Sequence, residues 1–162
     1  MPSILSFLRS PQKSIESSFS QTGLSYIDLY LIHAPYGGAD ARKGTWRALV
    51  EAQKAGKIRS LGVSNYGVHH LNELEQHMKE LGGTLDVGQW ELHPWLTRED
   101  IVSWCRERNV IVEAYCPLVR GQRSEEEVLA KLAKKYGKTW SHVLLRWSLQ
   151  KVRQVMAVEI VC

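Results

Sequence analysis

Residues 26–33 read YIDLYLIH. Branched and aromatic side chains fill the run almost without interruption, as in a strand covered on both faces by helices. Ala34-Pro35 and Gly37-Gly38 then break it. Upstream, Ser10 offers an N-cap, Pro11 suits the first helical position and Gly23 can close the helix, so residues 11–22 are expected to be helical and to feed straight into this strand. Downstream, Trp46, Leu49, Val50 and Ala52 recur at helical spacing up to Gly56, and Ile58 to Val63 forms a second short apolar strand.

The alternation continues. Leu71, Leu74 and Met78 form a helical stripe over residues 67–81, and a third strand follows the Gly82-Gly83 break, near Leu85 to Trp90. Thr97 is expected to cap a helix that buries Ile101, Val102 and Cys105, ahead of a fourth strand from Val110 to Ala114. Ser124 with Glu127 reads as a capping box for a helix carrying Val128, Leu129, Leu132 and Tyr136, and Thr139 as the cap of a helix carrying Val143, Leu144 and Trp147. Gln154 to Val161 reads as a last strand. Strands separated by helices require right-handed parallel crossovers, which leaves a (β/α)8 barrel or an open doubly wound sheet; spacing does not choose between them.

At 162 residues and 44% hydrophobic, the chain can bury one sizeable core, and one domain is the default. Its 21 basic residues are interspersed with 17 acidic ones and form no long run, so the net charge of +4 does not point to nucleic acid. Cys105, Cys116 and Cys162 show no metal-ligand spacing, and an odd number does not make a disulfide framework, which fits a reducing, cytoplasmic compartment. The N-terminal MPSILSFLRS has neither a secretory nor a transit pattern, and no apolar run approaches the ~20 residues of a membrane span.

In either candidate fold, functional groups gather at the C-terminal ends of parallel strands. The first strand ends in His33, the second in Ser64-Asn65, the third in Gln89 with Glu91 beyond it, and the fourth in Tyr115-Cys116. Any one of these is ordinarily a satisfied structural residue; four together point to a site. The amides of Asn65 and Gln89 each donate and accept, as a carboxamide ligand requires, Tyr115 offers a flat face to a ring, and His33 can polarise a carbonyl.

The segments YIDLYLIHAP, GKIRSLGVSNYG, QWELHPW and EAYCPL, in this order and at these separations, resemble successive strand motifs of the aldo-keto reductases, and SHVLLRWSLQ resembles the helix before that barrel's last strand. The resemblance runs over roughly residues 10–150. It implies a partial (β/α)8 TIM barrel, about strands four to seven with their helices, and NADP(H), less often NAD(H), as cofactor in the reduction of a small-molecule aldehyde or ketone. Of the family's Asp, Tyr, Lys and His tetrad, His33 matches the histidine. By the same resemblance Ser64, Asn65 and Gln89 hold the nicotinamide carboxamide, Tyr115 stacks on its ring, and Cys116 and Leu118 lie along the cofactor, with Cys116 departing from the serine usual there. Residues 1–162 are thus expected to be an incomplete barrel domain with a divergent tail over 151–162.

The strands bearing the family's Asp, Tyr and Lys are expected to lie upstream of Met1, and the strand end after Gln150 is replaced by KVRQVMAVEIVC. Tyr36, just after His33, is a poor substitute acid without a lysine partner. The remaining residues have structural explanations. His69, His70 and His77 are expected on a solvated helix face, His93 before Pro94 as a structural pair, and most of the six tryptophans in the core. Trp95 is placed to touch a substrate, and no metal site is visible. Two further readings remain: a non-catalytic half barrel that self-associates through open strand edges, with Leu29, Leu31 and Val63 partly uncovered, and a flavodoxin-like domain, disfavoured because no phosphate-cradling glycine loop follows a strand.

Overall fold

A computed structural model of the protein describes residues 10–152 and 154–155, which fall into two compact units divided after Leu85. The first runs α1 (Pro11–Thr22), β1 (Ile27–Ile32), α2 (Gly38–Lys54), β2 (Ile58–Ser64), α3 (Val68–Leu81). Ser10 caps α1 by accepting from the Lys13 N–H at 3.3 Å, Pro11 opens the helix, and Gly23 closes it in the left-handed conformation with its N–H on Phe19 O. β1 and β2 pair in parallel, Leu29 beside Ser60 and Ile32 beside Val63. Tyr30 bonds Ser18 of α1 at 3.1 Å, so alternation puts Leu29 and Leu31 on the face away from that helix.

The core of this unit is Trp46, Leu49, Val50, Leu61, Val63, Leu71 and Leu74, all buried. Trp46 donates its indole N–H to Gly82 O at 3.1 Å, which fastens α2 to the chain leaving α3. Two expectations fail here. β1 is only half-buried, with Asp28 exposed, because it stands at the sheet edge and has β2 as its one strand neighbour among the described residues. Val63 is fully buried rather than partly uncovered, since it belongs to β2 and that strand lies under α2.

The second unit runs β3 (Val87–Glu91), α4 (Glu99–Glu107), β4 (Ile111–Tyr115), a 3-10 turn (Val119–Gly121), α5 (Glu127–Tyr136), α6 (Trp140–Lys151) and β5 (Gln154–Val155). β3, β4 and β5 are parallel, with Gln89 beside Glu113, Glu91 beside Tyr115 and Glu113 beside Gln154. Trp90 folds back over Gly88, where a Cβ would lie 2.1 Å from the indole ring, so only glycine fits. Strand–helix alternation with parallel pairing within each unit is what a partial (β/α)8 barrel requires.

Thr139 caps α6 as expected, accepting from His142 N–H. The other two caps differ. α4 starts from Arg98, at φ 48°, because the His93–Leu96 turn closes with bonds in both directions and the chain then needs a left-handed residue to enter the helix. α5 starts from Glu126, because Ser124 is held in the preceding turn by its N–H on Gly121 O. Of the strand expected over 154–161, Gln154–Val155 is seen and the rest lies outside the described residues. Trp46, Trp90 and Trp104 are core, Trp140 and Trp147 half-buried, and Trp95 is 37% exposed.

Candidate functional site

In the first unit, β1 and β2 end side by side and bring His33, Ser64 and Asn65 together. His33 is exposed, Ser64 is buried, and Asn65 is exposed with a backbone φ of 62°. Asn65 Nδ2 donates to His33 O at 2.9 Å and to Ser64 Oγ at 3.0 Å. Both protons of that amide are thereby committed within the protein. Tyr66, next in sequence, is 2% exposed, and burial pushes its phenol up to about 12, which makes it a weak proton donor near neutrality. Tyr36 is 77% exposed.

The loop after His33 is tied down from the helix side. Arg42 on α2 donates to Pro35 O at 3.1 Å and forms a two-pronged pair with Glu73 on α3, Nε to Oε1 at 2.7 Å and Nη2 to Oε2 at 2.6 Å. The guanidinium holds the Glu73 carboxyl below the usual carboxylate range, against the opposing effect of burial. Sequence reading missed this pair, whose partners lie 31 residues apart. It also misplaced two histidines. His77 is buried at 8% exposure and His70 is half-buried, its ring 3.7 Å from that of exposed His69, because the α3 face they occupy turns inward.

In the second unit, Gln89, Tyr115, Cys116 and Leu118 follow from β3 and β4. Gln89 is 9% exposed and donates Nε2 to Glu113 Oε2 at 3.0 Å, across the strand pair. Glu113 was also missed, although a single acid inside the apolar run IVEAY is a legible signal. Tyr115 is half-buried; burial, and then the charge of Glu91, raises its phenol above the ordinary value. Cys116 is buried, with φ 51°, and Leu118 is half-buried at the start of the 3-10 turn. His93 is buried beside Glu91, Nε2 to Oε1 at 3.3 Å, in keeping with a structural role. Among the described residues no group of His, Cys, Asp and Glu is arranged to hold a metal ion, and no helix is long and apolar enough to cross a membrane.

The profile of the Aldo/keto reductase family matches residues 9–161. Glyoxal reductase of Bacillus subtilis is 44% identical over 137 residues, 85% of this chain and 48% of that protein. Methylglyoxal reductase DkgA of Escherichia coli is 36% identical over 141 residues, 86% of this chain and 50% of that protein. The chain therefore spans about half the length of these curated relatives. A crystal structure of a Gox0644 variant in complex with NADPH superposes with a TM-score of 0.79 at 32% identity, covering 90% of this chain and 53% of that one.

Proposed function

The chain belongs to the aldo/keto reductase family, and from that premise we propose that it contributes His33 and part of an NADP(H) site to the reduction of a small aldehyde or ketone. The observation that carries this reading is the bond from Asn65 Nδ2 to His33 O, which ties the histidine and the expected cofactor ligands Ser64 and Asn65 into one group at the ends of β1 and β2. Each unit by itself carries groups of a type that suits a nicotinamide: the hydroxyl of Ser64 and the amide of Asn65 in the first, the amide of Gln89 and the half-buried ring face of Tyr115 in the second. When bound, the reduced nicotinamide supplies the hydride. His33 orients and polarises the carbonyl, Ser64, Asn65 and Gln89 fix the carboxamide, Tyr115 packs against the ring, and Cys116 and Leu118 line the cofactor. The names of the two curated relatives favour short dicarbonyls such as glyoxal and methylglyoxal as substrates. Cytoplasmic residence, with no nucleic-acid or membrane partner, accompanies this reading.

Titration of NADP+ into the 15N-labelled chain tests it. Amide resonances of Ser64, Asn65, Gln89 and Tyr115 are expected to shift with a weak, saturable affinity. No shift at millimolar cofactor overturns the reading. The 162-residue polypeptide by itself is expected to oxidise NADPH with methylglyoxal at most slowly, since the matched motifs supply the histidine of the tetrad and general acid catalysis is worth roughly 10²- to 10⁴-fold. A robust rate abolished by His33→Ala would show that the chain supplies its own acid.

The half-buried β1 favours a second reading, self-association through the edge of β1 that has no strand neighbour among the described residues, because such an edge, with exposed Leu24 and Tyr26 ahead of it, offers backbone groups and apolar surface to a partner. A mass by light scattering that stays at 18.5 kDa across a hundredfold concentration range excludes it.

A further inference from the structure

The turn from β2 into α3 is closed by an imidazole. Gly67, the N-cap of α3, has no side chain to accept from the first helical N–H groups, so only the return half of a capping box exists. That half falls to His70 at the third helical position, whose Nδ1 accepts from the Gly67 N–H at 3.3 Å. The bond fixes the protons of two rings. A nitrogen that accepts carries no hydrogen, so neutral His70 bears its hydrogen on Nε2, which donates to His69 Nε2 at 3.0 Å, and His69 keeps its own on Nδ1. The three residues are packed together: a Cβ on Gly67 would lie 3.2 Å from the His69 ring. Protonation of His70 breaks this arrangement, because an imidazolium donates at both nitrogens and has nothing with which to hold Gly67. The new charge would also stand in the first turn of α3, where the helix dipole opposes a cation. Arg42 of α2 and His69 oppose it too, while Glu73, paired with Arg42 and also facing His77, favours it. The Tyr66 ring, edge-on with its centroid 5.7 Å away, is neutral throughout, its phenol pushed up to about 12. We propose that His69 and His70 form a proton-sensitive clasp on the β2–α3 turn, closed while His70 is neutral and opened by a proton on its Nδ1, and that the turn it releases is the one presenting Ser64 and Asn65. Burial, then the charges of His69 and Arg42, hold the His70 imidazole below the ordinary histidine value. The clasp is therefore fully present above that ordinary value and is lost as the pH falls through the depressed one. Asn65 stands two residues before Gly67 and ties back to His33 O at 2.9 Å, so opening reaches the ends of β1 and β2 whatever ligand they meet.

The test follows the 15N-labelled full chain and its H70Q, H70A and H69A variants from about pH 8 down to about pH 4.5, across the histidine range. Long-range 1H–15N spectra read the tautomers. Hydrogen exchange at the Gly67 amide, expressed as protection relative to an unstructured peptide at the same pH, reads the clasp. Wild type is expected to carry hydrogen on His70 Nε2 and His69 Nδ1 at the upper pH, and to lose Gly67 protection roughly fivefold on acidification, the size of one capping bond. Its Asn65 side-chain amide resonances move with the same midpoint. H70Q supplies an acceptor at the same position that does not titrate, so its protection persists at the lower pH. H70A is poorly protected throughout. H69A removes the partner of the His70 Nε2–H and shifts the loss to higher pH. The opposite His70 tautomer, constant protection in wild type, an acid loss in H70Q as large as in wild type, H70A protection equal to wild type at the upper pH, or an H69A midpoint no higher than that of wild type each overturns the inference. So does an Asn65 side chain that holds steady while Gly67 is released, because the effect is then confined to the helix end.

Discussion

The side-chain amide of Asn65 donates to the backbone carbonyl of His33 at 2.9 Å, so the residue after β2 holds the residue after β1. Asn65 does this from the left-handed region, at φ 62°, where asparagine is tolerated better than other residues with a side chain. Asn65→Ala removes the donor and adds backbone strain, an expected loss of about 1–3 kcal/mol of stability. Asn65→Gly relaxes the backbone and loses only the side-chain bonds, to His33 O and Ser64 Oγ, about 1–2 kcal/mol. Urea unfolding distinguishes them, and equal losses would mean that the φ angle contributes nothing.

Arg42 and Glu73 make a further connection, reaching Pro35 two residues beyond His33. Their side chains are 14% and 28% exposed, and a two-pronged pair of this kind is expected to show a coupling of about 1 kcal/mol in a double-mutant cycle with Arg42→Ala and Glu73→Ala. Because the folded Glu73 carboxyl sits below its ordinary value, its contribution is fully present above the ordinary carboxylate range and is lost as the pH falls through the depressed value. Stability of the Arg42→Ala variant should fall less steeply on acidification than that of the wild type; matching acid limbs would refute the linkage.

Val119 sits at φ 52° in the 3-10 turn after β4, and a branched side chain there is strained. Val119→Gly is expected to raise stability by about 1 kcal/mol, read as a higher urea midpoint at unchanged slope. A lower midpoint would mean that the valine side chain contributes more by packing than the backbone loses.

Cys105 is fully buried, and burial pushes its thiol up to about 12. Thiolate is the reactive form, so iodoacetamide at pH 8 should leave Cys105 unmodified in the native chain and label it after denaturation. Peptide mass mapping reads the site directly, and rapid native labelling would show that the α4 face opens.

Local chemistry made much of this legible beforehand. The helix over 11–22 appears with its Ser10 cap and Gly23 closure because cap, proline and glycine act within a few residues of one another. The same holds for Thr139 at α6. Where a turn competes for the same residues, local pattern misleads: the bonds closing residues 93–96 and 121–126 moved the caps from Thr97 and Ser124 to Arg98 and Glu126.

The sequence by itself determined the alternation of strands and helices and the order of the motifs, because each depends on spacing along the chain; of the expected strand ends, Gln89 instead lies in the middle of β3, which continues to Glu91. Tertiary structure alone decided the partners. Gln89 meets Glu113 through strand register, Arg42 meets Glu73 through the packing of two helices, and His77 is buried by the orientation of α3. β1 has the sequence of a covered strand and is half-exposed, because burial depends on which neighbours the fold provides and not on the composition of the strand.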